Sequence, residues 1–151
     1  MQDIDVSLLK DIGFIDIRAT FDSYSDKMTL SQVILFFERQ NIIFSKTMIQ
    51  NYVRVGVLPP LLSKRYYTKD HVFLLIIINM LKEVCSLENL KSIFELASDD
   101  LDITGLYNEF ISLIKKGDIL KKHKHDALNA LLLLTHNAIN LKLVKNIVKK
   151  Y

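Results

Sequence analysis

The residues that decide the fold are Ser45-Lys46-Thr47-Met48-Ile49-Gln50-Asn51-Tyr52-Val53-Arg54-Val55-Gly56-Val57-Leu58-Pro59-Pro60, and Lys64-Arg65-Tyr66-Tyr67 follows them closely. Ser45 is a suitable N-cap for a helix, and Gly56 is placed to adopt the left-handed conformation that ends one. The two prolines prevent the helix from continuing. The stretch therefore predicts a short polar and basic helix, followed by a compact loop that carries two cations and two tyrosines.

This order of elements is typical of a winged helix-turn-helix, in which the second helix lies in the major groove of DNA. Gln and Asn bond to adenine edges, Thr meets the thymine methyl group, and a helix N-terminus suits a phosphate oxygen. A loop that combines cations with aromatic hydroxyls suits phosphate positioning. We therefore expect contacts with double-stranded DNA from Ser45, Lys46, Thr47, Gln50, Asn51, Tyr52, Arg54, Lys64, Arg65, Tyr66 and Tyr67.

Composition places the rest of the chain in the all-α class. Half of the 151 residues are hydrophobic, and four glycines with two prolines are too few for the turns of an all-β sandwich. The longest uninterrupted apolar run, residues 72–78, is far shorter than the roughly 20 residues that span a bilayer. An acidic start argues against a secretory signal, and a single cysteine, Cys85, suits a reducing cytoplasm. We expect a cytoplasmic protein without a membrane segment.

The net charge of +3 is unevenly distributed along the chain. Residues 1–44 hold 4 basic and 7 acidic side chains, and residues 73–114 hold 2 and 7. Residues 45–72 hold 5 basic and 1 acidic side chain, and residues 115–151 hold 9 and 2. Alternation of this kind is a feature of surfaces that bind phosphates.

Capping residues and apolar periodicity predict helices along the whole chain. Thr29 with Gln32 forms a capping box that opens the helix before the deciding stretch. One further predicted helix ends near Gly13, and another ends near Gly117. Three more run from Thr68 or Asp70 to Val84, from Ser86 to Ala97, and from Asp126 to Lys150, the last with a break near Asn137 and Asn140. We predict three units: an N-terminal helical segment at 1–28, the winged helix-turn-helix at 29–97 and a C-terminal helical extension at 98–151.

Residues 29–96 resemble the MerR-type (mercury-resistance-regulator) winged helix-turn-helix family. The matching pieces are Thr29-Leu30, Tyr52-Val53-Arg54-Val55-Gly56-Val57-Leu58-Pro59, Lys64-Arg65-Tyr66-Tyr67, Lys69-Asp70 and Ser86-Leu87-Glu88-Asn89-Leu90-Lys91. Closer still in character are short uncharacterised bacterial proteins that join such a domain to a helical tail. The resemblance implies a DNA-binding transcriptional regulator. Family members usually carry Arg and Tyr where this chain has Gln50 and Asn51, and a longer dimerisation helix, so promoter-twisting activation does not carry over.

Two further expectations concern partners. A single module of this size has a small DNA interface, so we expect a homodimer, formed by the apolar stripe between Leu128 and Val148. Packing of that stripe inside the same molecule is the alternative. The polar helix has its own alternatives: a solvated surface helix, or a protein–protein interaction module that keeps the fold without binding DNA. The sequence indicates no effector ligand.

Other groups of polar residues predict no chemistry. His123 and His125 lie among lysines, which repel metal cations, and read as part of a solvated connector. Cys85 has no second cysteine and reads as an inert thiol, while the acidic run from Asp99 to Asp102 lacks the glycine and glutamate of a calcium loop. We expect no catalytic residue, no cofactor and no metal.

Overall fold

The computed structural model describes residues 6–18, 27–119 and 121–150. Within these ranges the chain is all-helical, as predicted, and two isolated β-bridges are its only extended pairings. The helices are α1 (Val6–Asp11), α2 (Leu30–Glu38), α3 (Lys46–Val55), α4 (Lys69–Leu81), α5 (Leu87–Ala97), α6 (Ile103–Lys115) and α7 (Asp126–Val148). The predicted loop at residues 22–26 lies outside the described residues.

The predicted helix boundaries at α2 and α3 are confirmed in atomic detail. The Thr29 hydroxyl accepts a hydrogen bond from the Gln32 backbone N–H at 3.2 Å, and Gln32 Oε1 accepts one from the Thr29 N–H at 2.8 Å. Ser45 Oγ accepts from the Met48 N–H at 3.1 Å, which caps α3. Gly56 ends α3 with φ of 86°, a conformation that a residue with a Cβ rarely adopts.

The core is organised around α4. Every residue from His71 to Ile78 is at most 4% exposed, because α4 packs on α6 and α7 and shares one buried cluster with Phe37 and Ile49. Helix α7 packs in turn on α5, α6 and α1. One cluster of buried side chains extends from Leu9 to Ile139, so the predicted C-terminal extension shares a core with the predicted winged unit.

Aromatic side chains fix α3 against α2. The Phe37 ring meets the Phe44 ring edge to face at 4.9 Å between centroids, and Phe44 meets Tyr52 of α3 in the same way at 6.4 Å. Such pairs are worth about 0.5–1.5 kcal/mol beyond their buried area. The connection between α2 and α3 comprises residues 39–45. Because Phe44 in this connection contacts both Phe37 and Tyr52, packing in the core sets the orientation of α3.

Helix α6 holds the segment that follows α1. The Tyr107 hydroxyl donates to the Ile15 carbonyl at 2.6 Å, and its ring stacks on Phe73 of α4 at 4.3 Å between centroids. Lys115 pairs with Asp16 at 3.0 Å, and the Arg18 guanidinium pairs with it at 2.8 Å. The guanidinium holds the pKa of the Asp16 carboxyl well below its usual range.

Helix α7 is continuous, so the predicted break near Asn137 and Asn140 was wrong. Its first half contributes buried residues as far as Ile139, whereas Ile147 and Val148 are 57% and 65% exposed. By length and composition α7 is also apolar enough to cross a membrane. Core helices of soluble proteins share this length and composition.

Candidate functional site

Helix α3 separates its polar and apolar side chains onto opposite faces. Ile49 is fully buried and Tyr52 is 5% exposed, and these two anchor the helix to the core. The opposite face carries Lys46, Thr47, Gln50 and Arg54, all exposed, with Asn51 half-buried beside them. Residues spaced by four lie above one another on a helix, so these side chains form one surface. No acidic residue interrupts it.

Two of these side chains contact each other. The Arg54 guanidinium donates a hydrogen bond from Nη2 to Oδ1 of Asn51. A carbonyl oxygen has two lone pairs, so Asn51 Oδ1 keeps one acceptor position and its amide keeps both donors. The bond holds Arg54 over the polar face and makes Asn51 part of a pair rather than an isolated amide.

Two of the predicted contact residues lie in the interior. Tyr52 is 5% exposed and Tyr67 is 3% exposed, and burial raises the pKa of both hydroxyls. Both belong to the aromatic positions that close the core around α3 and α4, which sequence spacing alone did not distinguish from surface tyrosines. We therefore remove both from the expected contact surface.

The predicted loop at residues 61–68 is a very short hairpin. Leu62 and Tyr66 exchange backbone hydrogen bonds of 2.9 and 3.0 Å. Between them Ser63 and Lys64 have φ of 53° and 64°, two consecutive left-handed residues without a glycine. Such residues cost about 1 kcal/mol or more each, and strain of this kind concentrates at functional positions. The turn exposes Ser63, Lys64 and Arg65.

Backbone pairing ties this hairpin to the start of α2. Met28 and Tyr67 exchange two hydrogen bonds of 2.8 Å, immediately before the N-caps of α2 and α4. Lys27 is thereby brought to the hairpin, with its Nζ 5.9 Å from the centre of the Tyr66 ring. Arg65 Cζ lies 5.7 Å from the same ring. Lys27, Lys64, Arg65 and Tyr66 are called the hairpin patch below.

Lys27 is the residue that sequence reasoning missed. It stands 37 positions before Lys64 in the chain, beside an acidic stretch, and no local pattern connects the two. Only the Met28–Tyr67 pairing brings them together. Such long-range pairing is not visible in the spacing of one sequence.

A buried histidine joins the end of α3 to the hairpin. His71 Nδ1 accepts from the Thr68 backbone N–H at 3.0 Å, so Nε2 carries the proton and donates to the Pro59 carbonyl at 2.9 Å. Burial lowers the pKa of His71 and keeps it neutral. This residue therefore fixes the segment after α3 relative to the start of α4.

Several polar groups outside this region have structural partners. His123 Nε2 lies 3.0 Å from the Asp118 carbonyl, and His125 lies 3.4 Å from Asp100. Asp102 caps α6 by accepting from the Gly105 N–H at 2.6 Å. In the described ranges, no group of three or more His, Cys, Asp or Glu residues is placed to hold a metal ion.

Comparison with known families places the chain in a family. The model of a domain of unknown function, DUF1836, matches residues 20–110, and the chain belongs to this family. The matched range includes α2 to α5, the hairpin and the first part of α6. No match was found among curated proteins or among solved structures.

Proposed function

We propose that this protein is a cytoplasmic, DNA-binding regulator of transcription, built on a MerR-like winged helix-turn-helix between additional N- and C-terminal helices. Helix α3 enters the major groove, and the hairpin acts as the wing on the phosphate backbone. The observation that carries the proposal is the polar and basic face of α3, uninterrupted by a carboxylate, on a helix whose other face is locked into the core.

The assigned contacts divide by chemistry. Gln50, Thr47 and Asn51 are short enough to read base edges, while Lys46, Arg54 and the Ser45 end of α3 suit phosphates. The hairpin patch adds three cations, which position the protein without reading sequence. We add Lys27 to the proposed DNA contacts and exclude Tyr52 and Tyr67 from them.

Binding to random duplex DNA at a series of salt concentrations tests the wing. We expect affinity to fall steeply with salt, and Arg65→Ala and Lys64→Ala each to reduce the logarithmic slope by about one. Lys121→Ala removes a lysine from the connector before α7 and is the matched control. Its DNA affinity should depend on salt as steeply as that of the native chain. An unchanged slope in both hairpin variants would remove the wing from the proposal.

Selection of bound sequences from a random duplex pool tests the groove helix. Gln50→Ala should relax preference at one base position, with a loss of about 1–3 kcal/mol there and little change in bulk affinity. Equal losses over all sequences would contradict the base contact.

A second candidate is a protein–protein interaction module that keeps this fold without DNA. The Asn51–Arg54 hydrogen bond favours it, because it occupies part of the hydrogen-bonding capacity of both side chains within the helix. Under this alternative the native chain shows no salt-dependent affinity for duplex DNA at all.

A homodimer is part of the proposal. The end of α7 presents Leu143, Val144, Ile147 and Val148, all at least 39% exposed, as an apolar stripe. Sedimentation velocity over a range of concentrations should show a dimer that Val144→Ser with Ile147→Ser converts to a monomer. Leu133→Ser, at an exposed position in the first half of α7, is the control. A native chain that stays monomeric throughout would contradict the dimer.

A further inference from the structure

A cavity of about 750 Å³ lies on the side of α4 where this helix ends. Its walls come from the end of α1 and the segment after it, the α2–α3 connection, the end of α4, and residues 138–145 of α7. This volume falls within the range of small-molecule sites in proteins. No part of the proposed DNA surface uses it, so the inference below is independent of DNA binding.

The inner wall of the cavity is apolar. Ile42 and Met80 are 8% and 3% exposed and belong to the core cluster, and Phe14 packs against that cluster. Leu141 of α7 also lines the cavity. An apolar body placed here would be removed from water on several sides.

The rim of the cavity is cationic. Two of its three carboxylates are already paired, Asp16 with Arg18 and Lys115, and Glu83 with Lys145 at 2.5 Å. The other charged groups of the described lining are Lys10, Lys82, Lys142 and Asp11. Lys82 Nζ lies 5.7 Å from the centre of the Phe44 ring, outside the cavity lining, so Lys10 and Lys142 are the lysines best placed to meet a ligand. Excess positive charge at the mouth of an apolar pocket attracts an anionic group.

The amide side chain of Asn79 breaks an otherwise aliphatic turn of α4 at the cavity wall. Asn79 interrupts the apolar run of α4, is half-buried and lines the cavity. Within the described part of the chain its side chain makes no hydrogen bond to protein. Gly13, with φ of 90°, lies so close that a Cβ there would collide with Asn79 Nδ2. The backbone thus leaves space for the amide at this wall.

From these features we infer that the cavity binds a small amphiphilic anion, with an apolar body against Phe14, Met80 and Leu141 and a single acidic group at Lys10 and Lys142. A carboxylate, a sulfonate or a phosphate ester can each form an ion pair with these lysines. Asn79 forms a hydrogen bond with a polar atom carried by the otherwise apolar part of the ligand. The walls belong to four different parts of the chain, so the site exists only in the folded protein.

Two fluorescent probes that differ in one charge test the inference. The first is 8-anilino-1-naphthalenesulfonate, an anion, and the second is N-phenyl-1-naphthylamine, which has the same rings without the sulfonate. We expect saturable binding of the anion at one site per chain. Lys10→Gln with Lys142→Gln should weaken the anion about fivefold or more and leave the neutral probe unchanged.

Matched variants separate this site from general attraction. Lys121→Gln with Lys124→Gln makes the same change in net charge away from the cavity and should leave both affinities unchanged. Leu141→Trp fills the wall and should weaken both probes, while Leu133→Ser, at an exposed position of α7 outside the cavity lining, should weaken neither. Circular dichroism melts establish that each variant is folded. The inference is overturned if anion binding is unchanged in both the double lysine variant and Leu141→Trp, or if it is lost in Leu133→Ser.

Discussion

Helices α4 and α7 are both rich in aliphatic side chains, but the fold buries them to very different extents. In α4, Ile76, Ile77 and Ile78 are fully buried around the whole helix. In α7, Leu131 and Leu132 are fully buried, but Ile147 and Val148 are more than half exposed. The difference shows that apolar composition predicts a helix that needs partners, while the neighbours available along its length decide how much is covered.

The largest expected effect comes from one substitution made in both helices. Ile76→Ala should lower the free energy of unfolding by about 2–5 kcal/mol, because it opens a cavity in the centre of the core. Ile147→Ala should change it by about 0.5 kcal/mol or less, since this side chain is 57% exposed. Urea unfolding of dilute protein measures both. Equal effects would mean that the exposed end of α7 is covered in solution.

A second pair of substitutions locates the boundary within α7. Leu131→Ala should cost about 2–4 kcal/mol, because Leu131 is fully buried. Leu143→Ala should cost about 1 kcal/mol or less, since that side chain is 39% exposed. The two variants differ only in position, so their urea midpoints compare the two halves of one helix. A dimer through the stripe would raise the cost of Leu143→Ala as protein concentration rises.

The histidines of the two helices give a smaller, pH-dependent contrast. The pKa of His71 in α4 is lowered by burial, so the unfolded chain binds the proton more tightly. The stability that neutral His71 contributes to the folded protein is fully present above about pH 6.5 and is lost as pH falls. The free energy of unfolding then changes by at most about 1.4 kcal/mol per pH unit. Urea unfolding between about pH 5.5 and 8 measures this slope. His71→Gln should remove it, and His136→Gln in α7 should retain it.

The smallest effect concerns the ion pair that joins the two helices. Glu83, just after α4, pairs with Lys145 of α7 at 2.5 Å, but the two side chains are 60% and 48% exposed. Glu83→Gln should cost about 0.5 kcal/mol or less, because exposed pairs are screened by water and salt. Lys145 lowers the pKa of Glu83, so this contribution is present above the ordinary Glu pKa and is lost as pH falls. A cost that is larger, or insensitive to salt, would contradict this account.

Local signals predicted the helices well. The capping residues Thr29, Ser45 and Ser86 make the predicted hydrogen bonds, and Gly56 ends α3 as expected, because caps depend on residues within one turn. The continuity of α7 was missed, because Asn137 and Asn140 only weaken helix propensity and packing on α5 and α6 outweighs that.

The candidate surface was predicted in part. The polar face of α3 follows from helical spacing, so its exposed members were assigned correctly as surface residues. The tyrosines were not, because Tyr52 and Tyr67 combine a ring that packs with a hydroxyl that suits either environment. Lys27 reaches the hairpin patch only through pairing across the fold.

The sequence by itself determined that the described chain is helical, where most of its helices begin and end, and which face of α3 is polar. These properties depend on contacts between residues no more than a few positions apart. Only the tertiary structure decided that α4 is central, that half of α7 is covered, that Lys27 joins the hairpin, and that four separate segments enclose a cavity. Those outcomes depend on contacts between residues far apart in the chain, and one sequence carries no periodic signal for them.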